Sequence, residues 1–250
     1  MNNTPELVAL FTDFGIGSHY LGQVKARLIT ERVSQPVIDL CSDAPDFNPR
    51  AAAYLLASFL PSMPKGTLFL AVVDPGVGSD RRAILIRSEC FWFIGPDNGL
   101  LSQVVARSKE AKIQTIDLPD LSNRSRTFDG RDFFAPAAAL ICNGAAVAGE
   151  PVTPASLVGA DWPSQLSEII YLDGYGNGVT GLSGDGLSKK LLLLVNGVSV
   201  PYAETFSGVP IGSPFWYVNA NGLVEVAVNQ GSAVEKFGLD IGVPVQWLGA

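Results

Sequence analysis

Short apolar runs recur along the first half of the chain, and polar or glycine-rich turns separate them. These runs predict strands at residues 7–12, 37–41, 68–73, 83–86, 90–94 and 113–116, and the continuous apolar run at 7–12 is expected to be buried on both faces. Apolar residues at helical spacing predict one helix from about His19, capped by Ser18, and another that Asn48 can cap. This alternation predicts an α/β domain, with a mostly parallel sheet and helices on both faces.

The pattern changes after about residue 150. A proline-containing stretch is followed by short apolar runs that glycine- and asparagine-containing turns separate, at residues 169–172, 190–195, 214–218, 223–228 and 243–247. Such spacing is typical of a small antiparallel barrel or sandwich. We therefore expect an α/β domain over residues 1–150, a linker over 151–165, and an all-β, barrel-like domain over 166–250.

Composition excludes several classes of function. A formal charge of −7 argues against a nucleic-acid partner, which clustered Lys and Arg would bind. No apolar run reaches membrane-spanning length, and the amino terminus lacks the basic and apolar regions of a signal peptide. The three scattered cysteines have no metal-ligand spacing, and the single histidine, His19, excludes a multi-histidine centre. We expect a cytoplasmic protein with reduced thiols, no metal and no membrane partner.

Two acidic residues follow predicted strands, where open α/β sheets bind their ligands. Asp13 ends the first strand and could accept hydrogen bonds from a ribose diol, or could simply cap the following helix. Asp74 ends another strand, and after a Pro-Gly-Val-Gly turn Arg81 is near enough in sequence to return to it. That pair could serve a ligand, or it could be a surface ion pair of little energetic value.

Six motifs, in one order along nearly the whole chain, together resemble the S-adenosylmethionine hydroxide adenosyltransferases, relatives of the fluorinases and chlorinases. They are Thr12-Asp13-Phe14-Gly15, Val73-Asp74-Pro75-Gly76-Val77-Gly78 with Arg81-Arg82, Gly95-Pro96-Asp97-Asn98-Gly99-Leu100, Thr127-Phe128-x-Gly130-Arg131-Asp132-x-x-Ala135-Pro136, Asp173-x-Tyr175-Gly176-Asn177 and Asn229-Gln230-Gly231-Ser232-Ala233.

The resemblance implies a homotrimer with active sites shared between subunits, and no cofactor beyond S-adenosyl-L-methionine as substrate. Water or hydroxide would displace methionine at the ribose C5′, giving adenosine and L-methionine. Asp13 would hold the ribose hydroxyls, Phe47 would pack near the sugar, and Asp173 would meet the methionine ammonium. Asn177 would bind the adenine edge beside Tyr175. The remaining implied substrate contacts are Tyr20, Phe128, Gly130, Asn229 and Gln230.

The catalytic set implied by the resemblance is Asp74, Arg81 and Asp129. The halogenases carry a tyrosine at the position of Asp74, and a carboxylate there would repel halide, so Asp74 favours an oxygen nucleophile. The family histidine is replaced by Asp129. This second carboxylate could act as a base, or it could weaken stabilisation of hydroxide and leave a nucleoside-binding protein with little turnover. A halogenase is a more distant alternative.

Overall fold

The computed structural model describes residues 4–118 and 124–249. The chain divides into two compact units, one formed by residues 1–53 with 63–162 and the other by 54–62 with 163–250. No helix in the described part of the chain combines the length and apolar composition needed to cross a membrane.

The first unit is built on one six-stranded sheet with the order β2-β1-β3-β5-β4-β6. Its strands are β1 Leu7–Thr12, β2 Val37–Cys41, β3 Thr67–Val72, β4 Ala83–Ser88, β5 Trp92–Pro96 and β6 Ala111–Thr115. Pairings among β2, β1, β3 and β5 are parallel, whereas β4 runs antiparallel to β5 and β6. The carboxyl ends of β1, β2, β3 and β5 therefore share an edge with the amino end of β4.

Both faces of the central strands β1, β3 and β5 are buried, whereas the edge strand β2 exposes Ile38 and Asp39. The first unit contains the helices α1 His19–Thr30, α3 Ser102–Ala106 and α4 Ala135–Cys142, and α2 Pro49–Phe59 runs from the first unit into the second. On one face, Val8 and Leu10 share a core with the apolar sides of α1 and α4. On the other face, Ala9 and Phe11 are fully buried as well. Continuous apolar runs, in place of alternating ones, are the sequence consequence of this double burial.

A single π-helical turn, Gly130–Phe134, leads into α4. Such turns are rare and are found frequently at functional sites, because the wider turn changes the direction in which neighbouring side chains point. Asp129 is the residue immediately before the turn, and its side chain is buried.

The second unit contains two antiparallel sheets around one apolar core. One sheet has the order β11-β12-β8-β7 and the other β10-β9-β13. The strands are β7 Leu166–Leu172, β8 Gly178–Ser183, β9 Leu192–Val195, β10 Val198–Val200, β11 Pro214–Val218, β12 Leu223–Val228 and β13 Val245–Leu248, and a short helix α5 spans Ala233–Phe237. The all-β character predicted for this region is confirmed.

The expected barrel is found only in part. Isolated bridges join the two sheets on either side, between Glu168 and Pro244 and between Tyr202 and Trp216. Because these are single bridges and not continuous ladders, the described strands form two sheets around a shared core instead of a closed barrel.

Candidate active site

Polar side chains collect at the edge of the six-stranded sheet where β1, β2 and β3 end. Asp13 follows β1, Phe47 lies beyond β2, and Asp74 follows β3. Together with residues of the segment 125–131 they line a cavity of about 510 Å³. Crevices at the carboxyl ends of parallel strands are the usual ligand sites of such sheets, because loops from adjacent strands converge there.

Asp74 and Arg81 form a buried ion pair. The Nε of Arg81 donates to both carboxylate oxygens of Asp74 at 2.7 Å, and its Nη2 donates to Oδ2 as well. The Asp74 side chain is 3% exposed and that of Arg81 is 10% exposed. The reading of these residues as a solvated surface pair is therefore wrong.

Asp129 extends this pair into a cluster of four charges. Its Oδ2 accepts a hydrogen bond of 2.8 Å from Nη2 of Arg81. Arg124 approaches from the other side, with Nε donating to Oδ1 at 2.9 Å and Nη2 lying 2.7 Å from Oδ2. Asp129 thus bridges two guanidinium groups, and the side chains of Asp74, Arg81, Asp129 and Arg124 carry no net formal charge.

The two carboxylates further stabilise the charged form of Arg81, which arginine retains in proteins in any case. Burial acts to lower the pKa of its guanidinium, but hydrogen bonds to Asp74 and Asp129 outweigh that effect and raise the pKa above its ordinary value. Arg81 is therefore a permanent cation next to the cavity.

Gly78 brings the loop after β3 against the segment that carries Asp129. Its φ is 82°, and a Cβ at this position would lie 2.7 Å from the carbonyl oxygen of Arg126, closer than real Cβ contacts. Both the backbone conformation and the close approach require glycine here. The Pro-Gly-Val-Gly turn therefore helps to bring together the two halves of the charge cluster.

Asp13 lines the same cavity as Asp74 and Asp129. It does not cap α1, since the side chain of Ser18 accepts from the backbone N–H of Tyr20 at the start of that helix. Burial raises the pKa of Asp13, with Asp46 and Asp74 adding to the effect, while the hydrogen bond from the Phe47 backbone opposes it. A carboxylate that has lost much of its hydration is well suited to accept hydrogen bonds from ligand hydroxyls.

An aromatic group forms a further part of the cavity. The ring centroids of Phe14 and Phe128 are 5.8 Å apart, and those of Tyr20 and Phe128 are 5.1 Å apart. A Cβ on Gly130 would lie 3.1 Å from the ring of Phe14, so glycine gives the aromatic group its space. These flat apolar surfaces could pack against a sugar or a base.

A second cavity, of about 1330 Å³, lies in the second unit. Its lining includes five of the predicted substrate residues, Asp173, Tyr175, Asn177, Asn229 and Gln230. Tyr175 is 84% exposed and Phe206 is 39% exposed, so both offer aromatic surface at this cavity.

Asp173 organises the turn that presents Asn177. Its Oδ1 accepts from the backbone N–H groups of Tyr175 and Asn177, and its Oδ2 accepts from Nδ2 of Asn177 at 2.9 Å. The side chain of Asn177 is thereby fixed, and no donor among residues 4–118 and 124–249 reaches its buried Oδ1. This buried carbonyl oxygen therefore keeps its capacity to accept a hydrogen bond.

Glu225 is a buried carboxylate in the second cavity. Tyr217 donates to its Oε1 at 2.5 Å, and Nδ2 of Asn219 donates to its Oε2 at 2.9 Å. Burial raises the pKa of Glu225, while these two hydrogen bonds oppose the rise. The network gives the floor of the cavity a fixed polar arrangement that no motif in the sequence had indicated.

Family models match both parts of the chain. The SAM hydroxide adenosyltransferase N-terminal domain matches residues 8–149, and the C-terminal domain of the same family matches residues 167–246. The chain belongs to the SAM hydroxide adenosyltransferase family.

The chain is similar to known proteins over almost its whole length. An "(R)-S-adenosyl-L-methionine hydrolase" of Thermus thermophilus is 37% identical over 96% of this chain and 99% of its own length. A protein of the same name from Salinispora arenicola is 33% identical, over 94% of each chain. The crystal structure of an uncharacterized conserved protein from Thermotoga maritima superposes with a TM-score of 0.86 at 29% identity, over 97% of this chain and 100% of that one.

In this member of the adenosyltransferase family, the predicted site residues fall into two groups. The first unit brings together Asp13, Tyr20, Phe47, Asp74, Phe128, Asp129 and Gly130 around one cavity, with Arg81 bound to Asp74 and Asp129. The second unit brings together the other five residues.

Sequence reasoning missed Arg124 and the Tyr217–Glu225 pair. Arg124 had a detectable signal, because it stands five residues before Asp129, a carboxylate of the predicted catalytic set. An additional carboxylate in a buried site needs a cation, so a basic residue nearby in sequence was the place to look.

Proposed function

We propose that this protein hydrolyses S-adenosyl-L-methionine to adenosine and L-methionine, with the (R) sulfonium form named in its relatives as a substrate. The observation that carries the proposal is the buried cluster of Asp74, Arg81 and Asp129, which adjoins a cavity that Asp13 also lines. Attack at a ribose carbon requires fixed charged groups near the nucleophile and a group that holds the sugar, and Asp13 could be that group.

The reaction needs a positioned nucleophile and no acid for the leaving group. A water oxygen forms a bond to C5′ while the C5′–S bond breaks, and sulfur leaves with the bonding pair as the neutral thioether of methionine. The water proton passes to solvent, so one proton is released for each turnover. Asp74 retains lone pairs beyond those that Arg81 uses, and it can accept a hydrogen bond from the attacking water.

The positive charge of Arg81 favours a developing hydroxide at the attacking water. Asp13 would hold the 2′- and 3′-hydroxyls of the ribose and so fix C5′ in relation to the water. In the second cavity, the free Oδ1 of Asn177 would accept from the adenine amino group, and Tyr175 would pack on the base. Asp173 would meet the methionine ammonium.

We further propose a cytoplasmic homotrimer whose active sites include residues of neighbouring subunits, acting without a cofactor. Exposed aromatic side chains beside each cavity support this assembly, since Phe47 is 76% and Tyr175 is 84% exposed. Light scattering coupled to gel filtration would test the assembly, and a monomeric mass at catalytic concentrations would contradict it.

The decisive experiment is incubation of the purified protein with each sulfonium epimer of S-adenosyl-L-methionine. Chromatography should show equimolar adenosine and methionine. In H₂¹⁸O the label should enter the 5′-oxygen of adenosine, because the entering oxygen comes from solvent. Turnover that leaves the adenosine unlabelled would refute direct attack at C5′.

A nucleoside-binding protein with little turnover is the second candidate. Both oxygens of Asp129 accept from guanidinium groups, which reduces its capacity to act as a base. Tight binding of adenosine in calorimetry, without product over long incubation, would favour this alternative. A halogenase would instead form 5′-chloro-5′-deoxyadenosine in chloride, and a carboxylate at residue 74 opposes the halide that this requires.

A further inference from the structure

Asp129 depends on two cations for its place in the site. It is 1% exposed, and a carboxylate taken so completely from water needs compensating charge and hydrogen bonds. Arg81 makes a single hydrogen bond to Asp129, through Nη2. Its Nε and the same Nη2 also donate to Asp74, so Arg81 is shared between the two carboxylates. In the described part of the chain, the other two side-chain contacts to Asp129 come from Arg124.

The orientation of Arg124 is set by its surroundings. Its two contacts to Asp129 involve different nitrogen atoms and both oxygens of the carboxylate, at 2.9 and 2.7 Å. Its guanidinium carbon lies 4.6 Å from the centroid of the buried ring of Phe133, within the π-helical turn. A planar fork held over an aromatic ring is a geometry that lysine cannot reproduce.

The charge count explains why this second arginine matters. Asp74 with Arg81 is formally neutral, and Asp129 adds a negative charge that would oppose hydroxide in the same site. Arg124 returns the cluster to neutrality while leaving Arg81 next to Asp74.

We propose that Arg124 is a positioning residue for hydrolysis, which fixes the Asp129 carboxylate between two guanidinium groups and offsets its charge. This inference rests on the proposed function. Asp129 and Arg124 then act as one unit, and the effect of losing either residue depends on whether the other is present.

The test compares steady-state kinetics of the full-length protein carrying Arg124→Gln, Asp129→Asn or both substitutions. Arg124→Gln should lower kcat by about 10- to 100-fold with a smaller change in KM, because the Asp129 carboxylate would be misplaced relative to the reacting atoms. In the Asp129→Asn background, the same substitution should change kcat by about twofold or less. Arg126→Gln is the matched control, since that exposed arginine is two residues away and outside the cluster.

Chemical rescue separates positioning from a general folding defect. Arg124 is 26% exposed, so Arg124→Ala should leave a space that guanidinium ion can enter from solvent and thereby restore part of kcat. Arg124→Lys should retain less activity than wild type, because it supplies charge without the two-pronged contact.

Each outcome has a defined meaning. Wild-type kcat in Arg124→Gln, or a loss that adds fully to that of Asp129→Asn, would overturn the inference and leave the proposed function intact. A loss in Arg124→Ala that guanidinium does not restore would also count against it. An inactive wild-type protein would remove the proposed function, and the inference with it.

Discussion

The backbone N–H of Phe47 donates to Oδ2 of Asp13 over 3.2 Å. This bond joins the loop after β2 to the residue after β1. Phe47 has a φ of 53°, in the left-handed region that non-glycine residues seldom occupy, and its ring is largely exposed. Strained backbone of this kind is often found at ligand sites, where the surrounding structure maintains it.

Replacing Phe47 should separate stability from substrate binding. Phe47→Gly should raise the free energy of unfolding by about 1 kcal/mol, since glycine adopts the left-handed conformation without strain. The KM for S-adenosylmethionine should rise at the same time, because the ring no longer packs near the sugar. Phe47→Ala is the matched control, and it should raise KM without the gain in stability. Denaturant titration and steady-state kinetics measure the two effects.

Asp13 should make nucleoside affinity depend on pH. Its pKa is raised by burial, so protonation of the carboxylate begins above the usual Asp range of about 4. The neutral acid can no longer accept both ribose hydrogen bonds, and the adenosine Kd should therefore increase as pH falls through this raised pKa. Calorimetry from pH 7 to pH 4 measures the effect, and Asp13→Asn should bind weakly with little pH dependence across that range.

The carboxyl group of Asp13 should also make folding stability depend on pH, in the opposite direction to nucleoside affinity. Because its folded pKa is raised, the contribution of Asp13 to stability is complete below the unfolded pKa and is lost as pH rises through the folded value. Asp13→Asn should therefore gain stability relative to wild type as pH rises from about 4 to neutrality. If the free energy of unfolding changed with pH by the same amount in both proteins over that interval, this assignment would be contradicted.

Asn177 should select adenine over hypoxanthine. Its buried Oδ1 can accept from the amino group of adenosine, whereas inosine presents a carbonyl oxygen at that position. Adenosine should bind at least about tenfold more tightly than inosine, and Asn177→Ala should remove most of that difference. Competition binding measures the ratio. Asn196→Ala provides a control, because that amide contacts Phe237 outside the second cavity.

Two glycine-to-alanine substitutions should have opposite effects on stability. Gly22 lies within α1 with no atom near its missing Cβ, so alanine should stabilise the protein by about 0.5–1 kcal/mol. Gly95 lies in β5 against the carbonyl oxygen of Ala71, and alanine there should destabilise it by about 1–3 kcal/mol. Thermal unfolding of both variants checks the signs.

Much of the first unit follows from hydrophobic pattern alone. The predicted strands at residues 7–12 and 37–41 have the observed bounds, and Ser18 caps α1 as expected. In the second unit, β8 was missed because Gly178 and Gly181 give it little strand character. Tertiary packing explains these glycines, since a Cβ on either one would collide with Leu239, Ile169 or Leu166.

The candidate site could be predicted only as far as local motifs reach. Asp13, Asp74 and Arg81 lie next to strand ends, where parallel topology places ligand groups. Glu225 is bound by Tyr217 on the adjacent strand, which no motif indicates. Arg124 is close to Asp129 in sequence, but the sequence does not show that the two side chains meet. Their roles depend on geometry that forms only when the chain has folded.

The residues at the first cavity come from separate loops of the chain. Asp74 and Arg81 belong to the single loop that joins β3 to β4, whereas Asp13 and Phe47 belong to the loops after β1 and β2. In the proposed function, mutations confined to the former would change the groups around the entering atom and leave the proposed sugar contacts in place. The same fold could then acquire a different reaction while the residues proposed to bind the nucleoside stay the same.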